Sequence, residues 1–352
     1  MNTTVNPFSI TFGVAPDQMI KRFSPTEKII DTFTSEKPSS HLFMISGVRG
    51  SGKTVLLTGI SEQLSKMRDW IVINVTPDVD ILVAIISRLY QQKELKKLFV
   101  KAGINLSFLG LSVKIDKEQP QMDSGALLES MIKILSENGK RILISIDEII
   151  NNSYVKVFSS TFQLLLRQKL PVFLIMTGLY ENIRRLKNEK TLTFLYRAPM
   201  EILEPLNLNS IARSYAATFQ LEPDKAREMA ELTKGYAFAY QVMGYLYFEQ
   251  SAAQKKEVSI DELLPEYDDY LDTYSYEKIW SELPLSEKNI ISLLSENEAR
   301  KVSDIRNELN ISSNDMASYR DRLKRKGLIL TEQFGYMTLT LPRFSEIIRT
   351  NI

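Results

Sequence analysis

The sequence predicts an α/β protein: a parallel sheet around a phosphate-binding loop, then an α-helical lid and a winged helix-turn-helix domain. Three observations predict this order. A glycine-rich segment, Gly47 to Thr54, lies between an apolar run of strand length and a helical pattern. Apolar runs and helical patterns then alternate as far as residue 206, where the alternation stops. The final block, 285–352, has the pattern helix, helix, turn, helix and hairpin.

Composition sets outer bounds on function. A chain of 352 residues suits two or three domains, and 44% hydrophobic with 25% charged residues is typical of soluble globular proteins. The 44 Lys and Arg nearly balance the 43 Asp and Glu, which excludes a uniformly basic nucleic-acid coat but not a local patch. With no Cys and a single His, disulfides and thiolate or histidine-cluster metal sites are excluded. We find no signal peptide or membrane-spanning run and expect a cytoplasmic protein.

The segment 1–40 precedes the first predicted core strand and is expected to be an arm that contributes to the nucleotide site. Apolar residues alternate from Phe8 to Val14, and a helix is predicted over Thr26–Phe33. Two interpretations stay open: a solvated leader, or a segment from Phe12 to Arg22 that packs over the nucleotide base.

The segment Gly47-Val-Arg-Gly-Ser-Gly-Lys-Thr54 fits the phosphate-loop pattern G-x-x-x-x-G-K-[ST] at every fixed position. Glycines let successive N–H groups face one anion, and the following helix adds the partial positive charge of its N-terminus. Lys53 is expected to reach the β- and γ-phosphates of ATP, and the Thr54 hydroxyl to hold Mg²⁺. The predicted nucleotide-binding residues are Gly47, Val48, Arg49, Gly50, Ser51, Gly52, Lys53, Thr54 and Val55. A chance match is disfavoured by the flanking strand and helix and by a second motif.

Between the loop and the second motif, the sequence predicts one strand, two helices and an insertion. These are a strand over Trp70–Val75, a helix over Val79–Lys101, a hairpin over Ile104–Ile115 and a helix over Ser124–Asn138.

The second motif is an apolar strand from Arg141 that delivers Asp147 and Glu148 at its carboxyl end. Asp147 is placed to hold Mg²⁺ together with Thr54, and Glu148 to polarise the water that attacks the γ-phosphate. The alternative is a buried strand that ends in a solvated acidic turn, which the phosphate loop upstream disfavours.

A further apolar strand over Val172–Thr177 ends in Thr177-Gly178. Thr177 is a candidate to hydrogen-bond the γ-phosphate or the attacking water, or it serves only as a helix or turn cap. Arg197 is a candidate arginine finger for a neighbouring subunit's γ-phosphate, or a solvated surface charge. A short fifth strand is predicted over Met200–Leu203, which completes a core domain over 41–206.

A helical lid is predicted over 207–260, with helices at Asn209–Phe219, Pro223–Thr233 and Tyr236–Gln250. The aromatic residues of the third helix are expected to be core, with a base-stacking surface as the alternative. A linker over 261–284 is predicted to contain one helix, Asp261–Trp280.

The winged-helix block, 285–352, is predicted to place its basic charge on a third helix over Asp315–Lys326. We predict that the residues contacting double-stranded DNA are Arg320, Arg322, Arg325 and Lys326. Three of them, Arg322, Arg325 and Lys326, have the spacing of one helical stripe, which is expected to face DNA. The alternative is a winged helix that contacts protein, with solvated charges.

On these residues the chain resembles the AAA+ ATPases of the origin-recognition and archaeal-initiator branch and the related STAND-like archaeal ATPases. The matching segments are G-V-R-G-S-G-K-T at 47–54, I-S-I-D-E at 144–148, M-T-G at 176–178 and the C-terminal winged helix. The order of arm, nucleotide core, lid and winged helix extends the resemblance over nearly the whole chain. It implies an ATP- and Mg²⁺-dependent ATPase associated with DNA, which assembles into a homo-oligomer under nucleotide control.

The chain departs from that branch at two points. Initiators usually carry an arginine near the start of the lid helix that follows Gly235, and this helix has none. Thr177 stands where many AAA+ proteins have asparagine. Both departures favour slow turnover. A STAND-like switch whose winged helix contacts protein is therefore the alternative function, and a metabolic kinase is disfavoured because no second substrate domain is predicted.

Overall fold

The computed structural model describes residues 5–11, 16–104, 123–254, 258–297 and 299–351. The predicted hairpin over Ile104–Ile115, apart from Ile104 itself, and the first part of the segment from Phe12 to Arg22 lie outside these ranges. The described chain forms two compact units, which are treated separately. The sheet unit comprises Phe23–Ser46 and Leu56–Glu201, and the loop-and-lid unit comprises Met1–Arg22, Gly47–Val55 and Ile202–Ile352.

The sheet unit contains a five-stranded sheet in the order β2-β3-β4-β1-β5. Its strands are β1 (Leu42–Ser46), β2 (Trp70–Val75), β3 (Arg141–Ile146), β4 (Val172–Gly178) and β5 (Met200–Ile202). The ladders β2–β3, β3–β4 and β1–β4 are parallel, so the carboxyl ends of these strands share one edge of the sheet. Every residue of β1 and β4 is buried, as expected for strands covered on both faces.

The longer helices around the sheet bury apolar residues at helical spacing, and the shortest one buries Leu195. They are α1 (Phe23–Thr34), α2 (Lys53–Ser65), α3 (Ile81–Gln91), α4 (Lys93–Lys101), α5 (Ser124–Glu137), α6 (Ser153–Arg167), α7 (Tyr180–Lys187) and α8 (Thr193–Tyr196). The prediction of a single helix over Val79–Lys101 is wrong, because two helices, α3 and α4, occupy this segment. The segment is interrupted at Gln92, whose backbone is extended, so that α4 starts a new direction and buries Leu95 and Phe99.

The lid consists of α9 (Leu208–Phe219), α10 (Pro223–Glu231) and α11 (Ala237–Tyr247), and α11 ends in a π turn over Phe248–Ala252. The aromatic side chains of α11 are core rather than a stacking surface, since Phe238, Tyr240 and Tyr247 are buried. The arm belongs to the same core. Phe8 packs between the rings of Tyr215, Phe219 and Tyr240, and it lies so close to Gly244 that any side chain there would collide with it.

The predicted linker helix is interrupted. It consists of α12 (Ile260–Leu271), a π turn over Asp272–Tyr276 and α13 (Glu277–Ser281). Pro265 lies inside α12, and Tyr276 anchors the π turn by donating its hydroxyl proton to the Pro342 carbonyl at 2.7 Å. This contact and the bidentate ion pair of Arg343 with Asp268 join the linker to the C-terminal block.

The C-terminal block has the predicted helices and hairpin together with two elements that the sequence did not reveal. Its elements are α14 (Leu285–Ser295), β6 (Ala299–Lys301), α15 (Val302–Glu308), α16 (Ser313–Arg325), β7 (Ile329–Leu330), β8 (Tyr336–Leu339) and α17 (Phe344–Asn351). The unpredicted strand β6 pairs with β8, giving an antiparallel sheet in the order β6-β8-β7. The other unpredicted element is α17. Within the described ranges, no helix is long and apolar enough to cross a membrane.

Candidate functional site

The phosphate loop follows β1 directly, and α2 begins at Lys53. Gly50 and Gly52 have positive φ angles of 74° and 89°, a conformation that glycine adopts without strain. At Gly50 a side chain is also excluded by space, because an added Cβ would lie 2.2 Å from the Tyr236 hydroxyl oxygen. Gly52, a fixed position of the pattern, and Gly50, a variable one, therefore each have a structural reason in this loop.

Each backbone carbonyl from Gly47 to Ser51 accepts a hydrogen bond. Lys53 Nζ donates to the carbonyls of Gly47 at 3.1 Å and Val48 at 3.0 Å, and the ammonium is buried with the loop. Three donors from the arm and the lid hold the other three carbonyls. They are the Tyr236 hydroxyl to Arg49 at 2.6 Å, the Phe238 N–H to Gly50 at 3.0 Å and Arg22 Nη2 to Ser51 at 3.0 Å.

The loop also has an internal hydrogen bond and an unsatisfied hydroxyl group. The Ser51 N–H donates to the Val48 carbonyl at 3.1 Å. Ser51 Oγ is buried and has no hydrogen-bond partner among the described residues. A lysine ammonium and an unsatisfied hydroxyl at a helix N-terminus fit a phosphate group. Thr54 and Val55 follow in the first turn of α2, both half-buried.

Arg22 joins the arm to this loop. Its guanidinium donates to the Ser51 carbonyl and, at 2.6 Å, to the Glu204 carbonyl. Burial lowers the pKa of Arg22 to about 10, which still leaves the group charged at neutral pH. The arm thus contacts the phosphate loop through Arg22.

In the sheet unit, three predicted residues come together at the carboxyl ends of β3 and β4. The Thr177 hydroxyl donates to Asp147 Oδ1, and the Glu148 N–H contacts Asp147 Oδ1 at 3.1 Å and Thr177 Oγ1 at 3.3 Å. Thr177 is fully buried, whereas Glu148 is exposed. Thr177 therefore orients the Asp147 carboxylate, a role that the sequence did not suggest.

Glu148 has a φ of 51°, in the left-handed region that non-glycine residues seldom adopt. Such a conformation costs on the order of 1–3 kcal/mol and occurs preferentially at functional sites. The contacts of its N–H with Asp147 and Thr177 hold it. The extended path of β3 therefore ends at Glu148, whose side chain is exposed.

Arg197 lies at the C-terminus of the short helix α8, with an exposed side chain. The neighbouring Tyr196 is also exposed. The part of the chain that the structure describes gives Arg197 no ion pair, so its predicted role toward a neighbouring subunit is neither supported nor opposed by a contact.

Two of the basic side chains of α16 do not point where the sequence predicted. Arg322 Nε and Lys326 Nζ bind the two carboxylate oxygens of Glu287, at 2.9 and 2.7 Å, and Glu287 is completely buried. The prediction of an outward stripe of Arg322, Arg325 and Lys326 is therefore wrong, because two of the three turn inward to this carboxylate. Arg325 pairs with Asp321 on the surface of α16.

The exposed basic side chains on this helix are Arg320, Lys324 and Arg325. Lys324 was not among the predicted contact residues. The tip of the β7–β8 hairpin carries Phe334, whose side chain is completely exposed.

Comparisons with known proteins bear on the fold. The family described as a domain of unknown function, DUF8462, matches residues 274–348, and no curated protein matches the sequence. The Orc2 protein of Aeropyrum pernix, solved in ADPNP–ADP complexes, superimposes with a TM-score of 0.61 at 16% identity, over 97% of this chain and 96% of that one. Cdc6p from Pyrobaculum aerophilum gives a TM-score of 0.51 at 15% identity, with 97% of both chains covered. The predicted fold class, a parallel α/β sheet core followed by helices and a C-terminal domain, is confirmed over nearly the whole chain.

Proposed function

We propose that this chain binds ATP with Mg²⁺ and hydrolyses it slowly. The observation that carries this proposal is the phosphate loop itself, in which every carbonyl from Gly47 to Ser51 accepts a hydrogen bond and Lys53 lies against the first two. A similar fold was solved with ADPNP and ADP in the Orc2 protein of Aeropyrum pernix, which supports the same class of ligand here.

In this proposal, Lys53 holds the β- and γ-phosphates, and the N–H groups of the loop bind the phosphate oxygens. Thr54 and Asp147 would hold Mg²⁺, which neutralises charge on the phosphates when bound. Thr177 fixes the Asp147 carboxylate in place. Glu148 orients the attacking water and takes up its proton as the water attacks.

The test of hydrolysis is a pair of measurements on Glu148→Gln. Glutamine keeps the shape of the side chain but lacks the charge that orients water, so we expect ATP binding to persist while phosphate release stops. Asp147→Asn is the matched comparison, since it changes the adjacent carboxylate and should weaken the Mg²⁺ dependence of binding as well. Phosphate release by Glu148→Gln at the parent's rate would remove Glu148 from the mechanism.

We further propose that the C-terminal block contacts duplex DNA through Arg320, Lys324 and Arg325. Exposed basic side chains on the third helix of a winged helix-turn-helix support this proposal. Arg322 and Lys326 are assigned instead to the ion pair with Glu287. A cytoplasmic location and nucleotide-controlled assembly remain predictions that accompany this function.

The DNA proposal is tested by titrating random duplex DNA at several salt concentrations. Arg320→Glu and Lys324→Glu, made singly, should each flatten the slope of log affinity against log salt by about 0.9 for each phosphate that the protein no longer neutralises. Arg349→Glu is the control, because it makes the same charge change on the exposed surface of α17. If all three variants weaken DNA binding equally, DNA binding depends only on the net charge of the protein. If Arg320→Glu and Lys324→Glu leave DNA binding unchanged, α16 does not contact DNA.

A STAND-like switch that uses this block to contact protein is favoured by one observation, the fully exposed Phe334 at the hairpin tip. Aromatic residues are enriched at protein–protein interfaces relative to the rest of a protein surface. Two results together would favour the protein-contact function. The parent would not bind duplex DNA, and ATP would change the oligomeric size of the parent but not that of Phe334→Ser.

A further inference from the structure

The start of the lid helix α11 makes a contact with the phosphate loop that the sequence did not reveal. Two consecutive loop carbonyls are held by residues two positions apart in the lid. The Tyr236 hydroxyl donates to the Arg49 carbonyl at 2.6 Å, and the Phe238 N–H donates to the Gly50 carbonyl at 3.0 Å. Phe238 lies in the first turn of α11, where backbone N–H groups have no partner within the helix. The lid helix thus uses its N-terminus to hold the loop.

Tyr236 is suited to this contact by its burial. Its ring is buried, and burial raises the pKa of its phenol above the usual range, so the hydroxyl keeps its proton and donates it. The close approach of the hydroxyl to Gly50 leaves no room for a side chain at that position. The Arg49 carbonyl is therefore held by the single proton of the Tyr236 hydroxyl.

The same hydroxyl reaches a second element. Ser275 Oγ lies 2.7 Å from the Tyr236 oxygen. Because Tyr236 gives its only proton to Arg49, Ser275 must donate to Tyr236, which creates a chain from Ser275 through Tyr236 to the loop. Ser275 belongs to the π turn over Asp272–Tyr276, and the Tyr276 ring stacks on Tyr236 with centroids 6.2 Å apart.

The π turn leads into the C-terminal block. Tyr276 donates to the Pro342 carbonyl at 2.7 Å, and its ring contacts Phe344 at the start of α17. Extra residues inside a helix, as in a π turn, often mark functional positions. A second contact runs parallel to the first, since Arg49 in the loop pairs with Glu282 directly after α13 at 3.5 Å. The loop and the entrance to the C-terminal block are joined twice.

We infer that Tyr236 is a positioning residue for phosphate binding, and that its hydrogen bond to Ser275 couples the shape of the phosphate loop to the π turn that enters the C-terminal block. This inference rests on the proposed binding of ATP. By linkage, a ligand that orders the loop must order the π turn, and an ordered π turn must favour the ligand by the same factor. Tyr236 stands near the start of the helix where initiators usually carry an arginine, and it acts on the loop rather than on a phosphate.

The test compares Tyr236→Phe with Tyr240→Phe in the full chain. Both substitutions remove one phenolic hydroxyl that pairs with a serine, since the Tyr240 hydroxyl lies 2.7 Å from Ser214 Oγ. Among the described residues, the hydrogen bonds of the Tyr240 hydroxyl do not include one to the loop. We expect Tyr236→Phe to weaken ATP and ADP binding by about five- to tenfold, the value of one hydrogen bond whose removal leaves a buried carbonyl unsatisfied. Tyr240→Phe should bind ATP within about twofold of the parent.

Adenosine binding shows whether Tyr236→Phe acts on phosphate binding or damages the lid in general, because adenosine lacks the phosphates that the loop would bind. Tyr236→Phe should weaken ADP but not adenosine. Equal weakening of adenosine, or an equal drop of ATP affinity in Tyr240→Phe, would overturn the positioning role. If Tyr236→Phe binds ATP as tightly as the parent, the inference also fails. Failure of the parent to bind ATP would instead reject the proposed function, and with it the inference.

The coupling is measured by amide hydrogen exchange over 272–276 with and without ATP. In the parent, ATP should slow exchange at these amides. Ser275→Ala keeps the bond from Tyr236 to Arg49, so it should weaken ATP binding less than Tyr236→Phe does, and by no more than the coupling factor, while losing the ATP-dependent protection. Protection that persists unchanged in both Ser275→Ala and Tyr236→Phe would show that the π turn is not coupled through this hydroxyl.

Discussion

Removal of the Glu287 carboxylate should destabilise the C-terminal block strongly. Glu287 is completely buried, and the exposed fractions of its partners are 26% for Arg322 and 14% for Lys326. Deleting one member of a buried ion pair costs about 3–5 kcal/mol because the remaining charge is buried without compensation. Here two cations are deprived of their partner, but both retain some exposure to water, so we expect Glu287→Ala to cost about 3 kcal/mol.

The assay is urea unfolding followed by tryptophan fluorescence. The chain has two tryptophans, Trp70 in the sheet unit and Trp280 in α13. In a Trp70→Phe background, Trp280 becomes the only reporter. Lys288 lies over its ring at 5.3 Å and extends from α14, the helix that carries Glu287, so Trp280 senses this region.

Glu296→Ala is the matched control. Glu296 directly follows α14 and pairs with Arg300 at 3.1 Å, but its side chain is 55% exposed. Exposed ion pairs contribute little, so this substitution should change stability by less than about 1 kcal/mol. If Glu287→Ala were as mild as Glu296→Ala, the inward assignment of Arg322 and Lys326 would be refuted, and both would return to the candidate DNA surface.

Three further predictions concern the nucleotide site. Thr177→Val removes the hydroxyl that orients Asp147, so a higher Mg²⁺ concentration should be needed for ATP binding. The ATP affinity measured at saturating Mg²⁺ should stay near that of the parent. A Mg²⁺ titration identical to the parent's would contradict this prediction. Arg197→Ala should abolish any increase of specific ATPase activity with protein concentration, because an arginine supplied by a neighbouring subunit contributes on the order of 10³–10⁵ in rate. If the specific activity of the parent does not depend on protein concentration, Arg197 is not an arginine finger. Gly50→Ala should abolish ATP binding without unfolding the sheet, because its φ is 74° and its Cβ would collide with Tyr236; normal ATP affinity in this variant would mean that the loop rearranges freely.

The parallel-sheet core could be predicted from sequence because its signals are local. The strand before Gly47, the helix from Lys53 and the acidic strand end at Asp147 are each determined by a few adjacent residues. Parallel strands place their carboxyl ends at one edge, so the proximity of Thr177 to Asp147 follows once the sheet order is known. The sheet order itself depends on contacts between distant strands, such as β1 with β4, which periodicity does not specify.

The errors have the opposite origin. Helical spacing correctly grouped Arg322 with Lys326, but it could not tell which way their face points. That direction is set by Glu287, 35 positions before Arg322 in the chain, whose buried position no local pattern indicates. The role of Tyr236 was missed for the same reason, since its partner Arg49 is 187 positions away. Its place among buried aromatic residues favoured a purely structural interpretation.

The central claim is that the segment Gly47–Thr54 binds the phosphates of ATP, and calorimetric titration of ATP with Mg²⁺ tests it most directly. The parent should bind one ATP per chain, and Lys53→Ala should show no detectable binding, because Lys53 is the ammonium that lies on the loop carbonyls. Thermal unfolding of both proteins without nucleotide serves as the check that the variant is folded. Tight ATP binding by a folded Lys53→Ala protein, or no ATP binding by the parent, would contradict the account.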